Sequence, residues 1–147
     1  MIDRIVHEGE ELALILRRDF RADGITFLTD GHYSQQLGYM NRPAGYVIPP
    51  HVHNAVAREV QYTKEVLIIR SGRLRVDFYD DDQRYLESTL LEAGDIILLA
   101  LGGHGFTMLE PTEIVEVKQG PYVGEQDKTR FAGVADADVR LRGGPAA

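Results

Sequence analysis

The chain has 147 residues, no cysteine and a formal net charge of −7 at pH 7. This length predicts one domain with one hydrophobic core, and the acidic balance without a basic stripe argues against nucleic acid as a partner. No apolar run approaches the length that spans a bilayer, so we expect no membrane partner. The charged N-terminus does not resemble a secretory signal, and the lack of cysteine excludes disulfides, so a cytoplasmic location is the default expectation.

Residues 11–19 predict the first strand, because every second residue in the middle of this run is leucine. The same run also has apolar residues at helical spacing, so a short helix stays an alternative. We favour the strand because residues 24–29 follow as a second extended piece. Asp30 and Gly31 then predict a turn.

Residues 32–40 have a composition typical of strands and little net charge. In an extended chain, Gln35 and Gln36 point to opposite faces, so one of them can line a cavity. We take Gln36 as a candidate substrate contact. The alternative, that both glutamines are ordinary polar residues of a sheet, is the commoner situation.

Two histidines, His51 and His53, follow a pair of prolines that keeps the approaching chain extended. In a strand, residues two apart point to the same face, so both imidazoles share one face. Glu65 opens the next apolar run and can reach that face from a neighbouring strand. Two imidazoles and one carboxylate that converge there would be three ligands of a metal site, and His104 offers a third imidazole.

Residues 54–64 form an insertion between His53 and Glu65 that predicts a loop. Glu59, within this insertion, is the rival carboxylate ligand, but spacing favours Glu65. Arg58 and Tyr62 are candidate substrate contacts at the mouth of the site. A solvated loop explains the same two side chains equally well.

From Glu65 onward the alternation of apolar and polar residues predicts an antiparallel sandwich or barrel. Leu67 and Ile69 share the face of Glu65, so the carboxylate ends an apolar inner row. His104 begins another such row, in which Phe106 and Met108 are candidates for the substrate pocket. Strands are predicted to begin at Glu65 and at His104, the alternation of residues 73–78 predicts another, and further strands are predicted at residues 85–91, 96–99 and 113–119.

The order of these residues resembles the cupin family. The first cupin motif is a glycine, the His-x-His pair, a glutamate and a second glycine, and the corresponding residues are Gly45, His51, His53, Glu65 and Gly72. The second motif is a glycine, a Pro-x-Gly turn and a histidine, and the corresponding residues are Gly94, Gly102 and His104.

The chain differs from the cupin pattern in three respects. Ala100 occupies the position of the motif proline, and the gap before His104 is one residue short. Eleven residues separate His53 from Glu65, which is more than the family pattern has. The resemblance covers residues 45–118.

The resemblance implies an all-β fold, the antiparallel double-stranded β-helix or jelly-roll barrel of cupins, in a single domain. Residues 1–44 are then N-terminal strands that complete the barrel, and residues 45–119 are the cupin core. Residues 120–147 are a C-terminal segment that Tyr122 and Phe131 fold back on the barrel, with frayed last residues. Small cupins commonly pair, and strand edges need cover, so we expect a homodimer.

The resemblance also implies a divalent transition metal held by His51, His53, Glu65 and His104. Iron, nickel, manganese, copper and zinc all suit this ligand set, and the sequence does not choose among them. Four protein ligands on an octahedral ion leave two positions open for a small-molecule ligand. Open positions are typical of a working site rather than a structural one.

Three functions follow, and the fold does not choose among them. The first is a metal-dependent oxygenase or isomerase acting on a small polar molecule. The second is a non-catalytic module that binds or senses a small molecule. The third is a metal-independent epimerase or ketoisomerase of nucleotide-linked sugars that uses histidine as general base, although the Arg-Gly pair usual in those enzymes is missing beside His51.

Overall fold

The computed structural model describes residues 1–144, and these form an antiparallel all-β fold, as predicted. Within them no helix is long and apolar enough to cross a membrane. The helical segments are two short 3₁₀ turns, Gly124–Asp127 and Asp136–Asp138. The strands are β1 (Ile2–His7), β2 (Glu10–Leu16), β3 (Gly24–Phe27), β4 (Gly38–Asn41), β5 (Glu65–Ser71), β6 (Arg73–Tyr79), β7 (Tyr85–Glu92), β8 (Ile96–Leu99), β9 (Gly103–Met108) and β10 (Glu113–Lys118).

The strands form two larger sheets and one hairpin. The larger sheet has five strands in the order β1-β2-β8-β5-β10, and the smaller sheet has three in the order β7-β6-β9. Among the described strands, β3 and β4 pair only with each other. The strand prediction for residues 11–19 is confirmed by β2, and the apolar run of residues 96–99 is β8, in the middle of the larger sheet.

The main core lies between the inner faces of the two larger sheets. Leu67 and Ile69 of β5 belong to it, as do Leu74, Val76 and Phe78 of β6. Their alternation with polar residues places each apolar side chain inward, as the period of two predicts. Burying each such side chain contributes about 2 kcal/mol to folding, before the entropy cost of ordering the chain.

The β3–β4 hairpin covers part of the outer face of the larger sheet. Leu14 and Leu16 point to that face and form a second buried cluster with Leu28, against which Tyr39 packs. The opposite face of the hairpin carries apolar residues that stay exposed. They are Ile25, Phe27 and Met40.

The C-terminal segment returns to the smaller sheet, through Phe131 as predicted. Its ring packs edge-on against Tyr79, with the ring centroids 5.0 Å apart. Tyr122, the other residue expected to fold this segment back, is instead 83% exposed. Leu141 bridges to Ser88 of β7, so the beginning of the tail expected to fray is hydrogen-bonded to the sheet. The rest of that expectation concerns residues 145–147, which lie outside the described residues.

Candidate metal centre

Glu65 and His104, two of the four predicted metal ligands, lie in direct contact. Nε2 of His104 is 3.2 Å from Oε2 of Glu65. The two side chains are 13% and 28% exposed, so the pair lies near the surface but is largely shielded. Residues that are far apart in the chain and belong to different sheets therefore meet where the sequence predicts a metal.

Strand register explains why these two side chains point toward each other. His104 of β9 lies opposite Phe78 of β6, whose ring is in the core, so the imidazole also points inward. Glu65 starts β5 and lies opposite Leu99, a core residue of β8. Both side chains therefore occupy inner faces of the sandwich, at the end of their strands.

The imidazole beside Glu65 stabilises the carboxylate in its ionised form. A hydrogen bond from His104 holds the pKa of Glu65 below its usual value, against the opposing effect of burial. The positive charges of Lys118 and Lys128 act in the same direction. An ionised carboxylate is the form that binds a metal or accepts a proton.

Lys118, which the sequence motifs did not single out, brings a cation to the same inner face. It lies in register with Glu65 across the β10–β5 pair. Its ammonium is 3.1 Å from the carboxylate of Glu116, and this contact raises the pKa of Lys118. The signal for it was the alternation of Glu116 and Lys118 with Val115 and Val117.

His51 and His53 lie beside each other but not in a strand. Their ring centroids are 5.3 Å apart, and Nδ1 of His51 is 3.0 Å from the carbonyl oxygen of Pro49. Residues 42–64 contain no regular secondary structure, so the predicted strand at the His-x-His pair is wrong for this structure. Two consecutive prolines before His51 lack the N–H groups that a ladder of hydrogen bonds needs, and no strand among residues 1–144 pairs with the segment.

The two pairs do not combine into one cluster in a single copy of the chain. Within residues 1–144, no group of three or more His, Cys, Asp or Glu side chains is close enough together to hold a metal ion. The donors themselves fit a divalent transition metal, because imidazole nitrogen and carboxylate oxygen are its usual protein ligands. Glu65 and His104 therefore lie together on the sheets, whereas His51 and His53 lie together on an exposed segment.

The rival carboxylate, Glu59, takes no part in the contact with His104. It is exposed, and its Oε1 accepts a hydrogen bond of 3.4 Å from the side chain of Gln61. The position of Glu65 at the start of an inward-facing strand explains the difference, since Glu59 belongs to the segment without secondary structure.

Two of the five predicted pocket residues lie on β9, the strand that carries His104. Phe106 and Met108 share the inner face of β9 with His104, and the ring centroids of His104 and Phe106 are 5.4 Å apart. Both side chains are exposed, because β9 is the edge of its sheet. Phe106 supplies an apolar surface beside His104, and Met108 extends it toward the other end of β9.

The other three predicted pocket residues lie elsewhere. Gln36 stabilises a loop. Its side chain accepts a hydrogen bond from Thr29 and donates to the backbone carbonyls of Asp30 and Tyr33. Arg58 donates a hydrogen bond to a nearby backbone carbonyl, that of Val56. Tyr62 is exposed and lines a separate groove.

That groove has a volume of about 660 Å³ and does not include Glu65 or His104. Tyr33 lies in it and donates a 3.0 Å hydrogen bond to Glu11. Burial and this contact raise the pKa of Tyr33 to about 12. Lys64 also lines the groove, so it adjoins the strand on which Glu65 lies.

Comparisons of the chain with protein-family models, with curated proteins and with solved structures found no match.

Proposed function

We propose that this chain is a cupin-type jelly roll that binds a divalent transition metal through His51, His53, Glu65 and His104. We further propose that it is an enzyme, an oxygenase or isomerase acting on a small polar molecule. The antiparallel two-sheet architecture supports the first part. The second part rests on the chemistry that such a ligand set provides.

The contact between Glu65 and His104 carries the proposal. In the cupin resemblance, Glu65 comes from the first motif and His104 from the second, and each motif was assigned from residue order alone. A false motif match has no reason to bring its glutamate within 3.2 Å of the histidine of the other motif. The contact is therefore an independent observation in favour of the resemblance.

The residues around the pair would bind and orient a small substrate. The ammonium of Lys118, on the inner face beside Glu65, suits an anionic or strongly polar substrate group. Phe106 and Met108 would exclude water from one side of the site, which strengthens electrostatic interactions there. A bound metal would supply Lewis-acid or oxygen chemistry at the positions that the protein leaves open.

Elemental analysis of the purified protein tests this function. We expect close to one transition-metal ion per chain, and we expect Glu65→Gln and His104→Ala to lose most of it. The matched control replaces an exposed glutamate of β10, and we expect the Glu113→Gln protein to bind as much metal as the wild type. Wild-type protein that stays metal-free after growth and reconstitution with each of the five metals would refute the metal-binding proposal.

The same contact also favours a second candidate, a metal-independent isomerase or epimerase. An imidazole that is oriented by a carboxylate is the arrangement of a general base, and His104 and Glu65 have it. Turnover of a nucleotide-linked sugar that survives a strong chelator, but is lost in His104→Ala, would favour this candidate. Turnover that the chelator abolishes and added metal restores would favour the metal enzyme.

A further inference from the structure

The groove that Tyr33 and Tyr62 line is a cavity separate from the proposed metal site. Its walls come from the β1–β2 turn, the loop after β3, residues 59–62 and the residues that follow β8. Its volume is about 660 Å³, and cavities that bind small molecules commonly have volumes of about 300–1,000 Å³. The groove is therefore large enough for a ligand of its own.

Side-chain hydrogen bonds hold the walls of the groove together. Tyr33, in the loop after β3, donates a hydrogen bond of 3.0 Å to Glu11 of β2. Gln119, just after β10, donates to the side chain of Ser34 at 3.1 Å and accepts from the backbone N–H of Lys64. The loop is therefore tied to structure on both sides, and a ligand would not have to order it on binding.

The groove carries more negative than positive charge, because four carboxylates and one ammonium group line it. Among the carboxylates, that of Glu11 is neutralised by an ion pair with Arg4. The other three, those of Glu10, Asp30 and Glu59, form no ion pair within residues 1–144. Like charges along a concave wall concentrate their field inside it, so the groove attracts cations.

An ammonium group of the chain itself already lies over one aromatic ring of the groove. Nζ of Lys64 is 5.5 Å from the centroid of the Tyr33 ring, which is within the range of a cation–π contact. The same Nζ is 3.5 Å from the carbonyl oxygen of Ala100. The ring of Tyr62 is 70% exposed, and no arginine or lysine of residues 1–144 lies over it. Its face is therefore available to a cation of the ligand.

The lining of the groove disfavours other classes of ligand. The three carboxylates without an ion pair would repel an anion, and a neutral sugar would leave their charge uncompensated. A divalent metal ion needs several protein ligands close together, and no group of three or more His, Cys, Asp or Glu side chains within residues 1–144 meets this requirement. An organic cation is the class that remains, because it can bind both carboxylates and aromatic rings.

Apolar residues share the groove with these carboxylates and favour a ligand that has an aliphatic chain. Val6, Val60 and Leu101 belong to the lining. Two or three ammonium groups on one ligand would balance the three carboxylates better than a single one does. The methylene groups that join the ammonium groups would then cover the apolar part of the groove.

We propose that the groove binds a small aliphatic polyamine. Its ammonium groups bind the carboxylates of Glu10, Asp30 and Glu59, and one of them lies over the ring of Tyr62. None of the four proposed metal ligands lines the groove, so this inference does not rest on the proposed function.

Isothermal titration calorimetry with spermidine, at pH 7 and about 0.15 M salt, tests the proposal. We expect saturable binding of one molecule per chain, and we expect Glu10→Gln/Asp30→Asn to weaken it by about tenfold or more. The control Asp81→Asn/Glu113→Gln removes the same charge from two exposed carboxylates outside the groove and should change the affinity by less than about twofold. Absence of saturable binding, or an equal loss in the two double variants, would overturn the proposal, because the second result would show attraction by overall charge alone.

Two further comparisons show where on the chain spermidine binds. Tyr62→Leu should weaken binding about threefold, whereas Tyr62→Phe keeps the ring and should bind like the wild type. Glu65→Gln/His104→Ala should bind spermidine as tightly as the wild type, because neither residue lines the groove. Loss of binding in that double variant would overturn the proposal and place the cation at the proposed metal site. A wild type that binds spermidine but no metal would refute the proposed function and leave the groove as a polyamine site.

Discussion

A Cβ atom placed on Gly72 would lie 2.2 Å from the carbonyl oxygen of Pro111. Gly72 joins β5 to β6 with a φ of +81°, and its backbone is closely approached by the β9–β10 connection. We therefore expect Gly72→Ala to lower the free energy of unfolding by about 2–4 kcal/mol, because it combines a left-handed backbone with a steric clash. Urea unfolding followed by circular dichroism measures the loss.

Gly9 offers a matched control for this variant. It has a similar φ of +85°, but a Cβ added there meets nothing within 4 Å. Gly9→Ala should therefore cost only the backbone strain, about 1–2 kcal/mol. Equal losses in the two variants would show that the contact with Pro111 does not limit the residue at position 72.

The Asp95 carboxylate, 2% exposed, joins the start of β8 to the end of β2. It accepts hydrogen bonds from the Arg17 side chain at 3.0 Å and from the backbone N–H groups of Arg18 and Glu92. Asp95→Ala leaves all three donors short of a partner, and we expect a loss of about 3–5 kcal/mol in unfolding free energy. Asp81→Ala, at an exposed turn, should change it by less than about 0.5 kcal/mol. A loss below 1 kcal/mol for Asp95→Ala would contradict this role.

The hydroxyl group of Tyr33 should lose its proton at a higher pH than that of an ordinary tyrosine. Burial, together with its hydrogen bond to Glu11, raises the pKa of Tyr33 to about 12, above the ordinary value of 10.0. Folding keeps the proton bound, so this contribution to stability is constant below pH 10 and declines as the pH rises toward 12. Ultraviolet absorbance of wild type minus Tyr33→Phe gives this pKa, and Glu11→Gln should lower it. A difference spectrum that titrates at pH 10 would contradict the contact.

Much of the sheet could be predicted from the sequence because its signals are local. Leu74, Val76 and Phe78 alternate with polar residues, and that period decides which side chains enter the core. The inward direction of Glu65 followed from the same rule, applied to Leu67 and Ile69. The packing of the two sheets against each other then brings this carboxylate to His104 of β9.

The segment of residues 42–64 could not be predicted correctly, because strand formation depends on a partner as much as on composition. Val47, Ile48 and Val52 favour a strand, yet a strand needs a neighbour with which to share hydrogen bonds. Within residues 1–144 no strand pairs with this segment, so His51 and His53 lie in irregular structure. The pocket roles of Arg58 and Tyr62 depended on that same segment closing over the site.

X-ray absorption spectroscopy of the metal-loaded protein tests the central proposal most directly, because imidazole ligands give a recognisable scattering pattern. We predict three imidazoles and one carboxylate oxygen around the ion in the wild type. His104→Ala should lose one imidazole or the ion itself, while His32→Ala, outside the site, should leave the spectrum unchanged. A spectrum without imidazole scattering, or one that His104→Ala does not alter, would contradict the account.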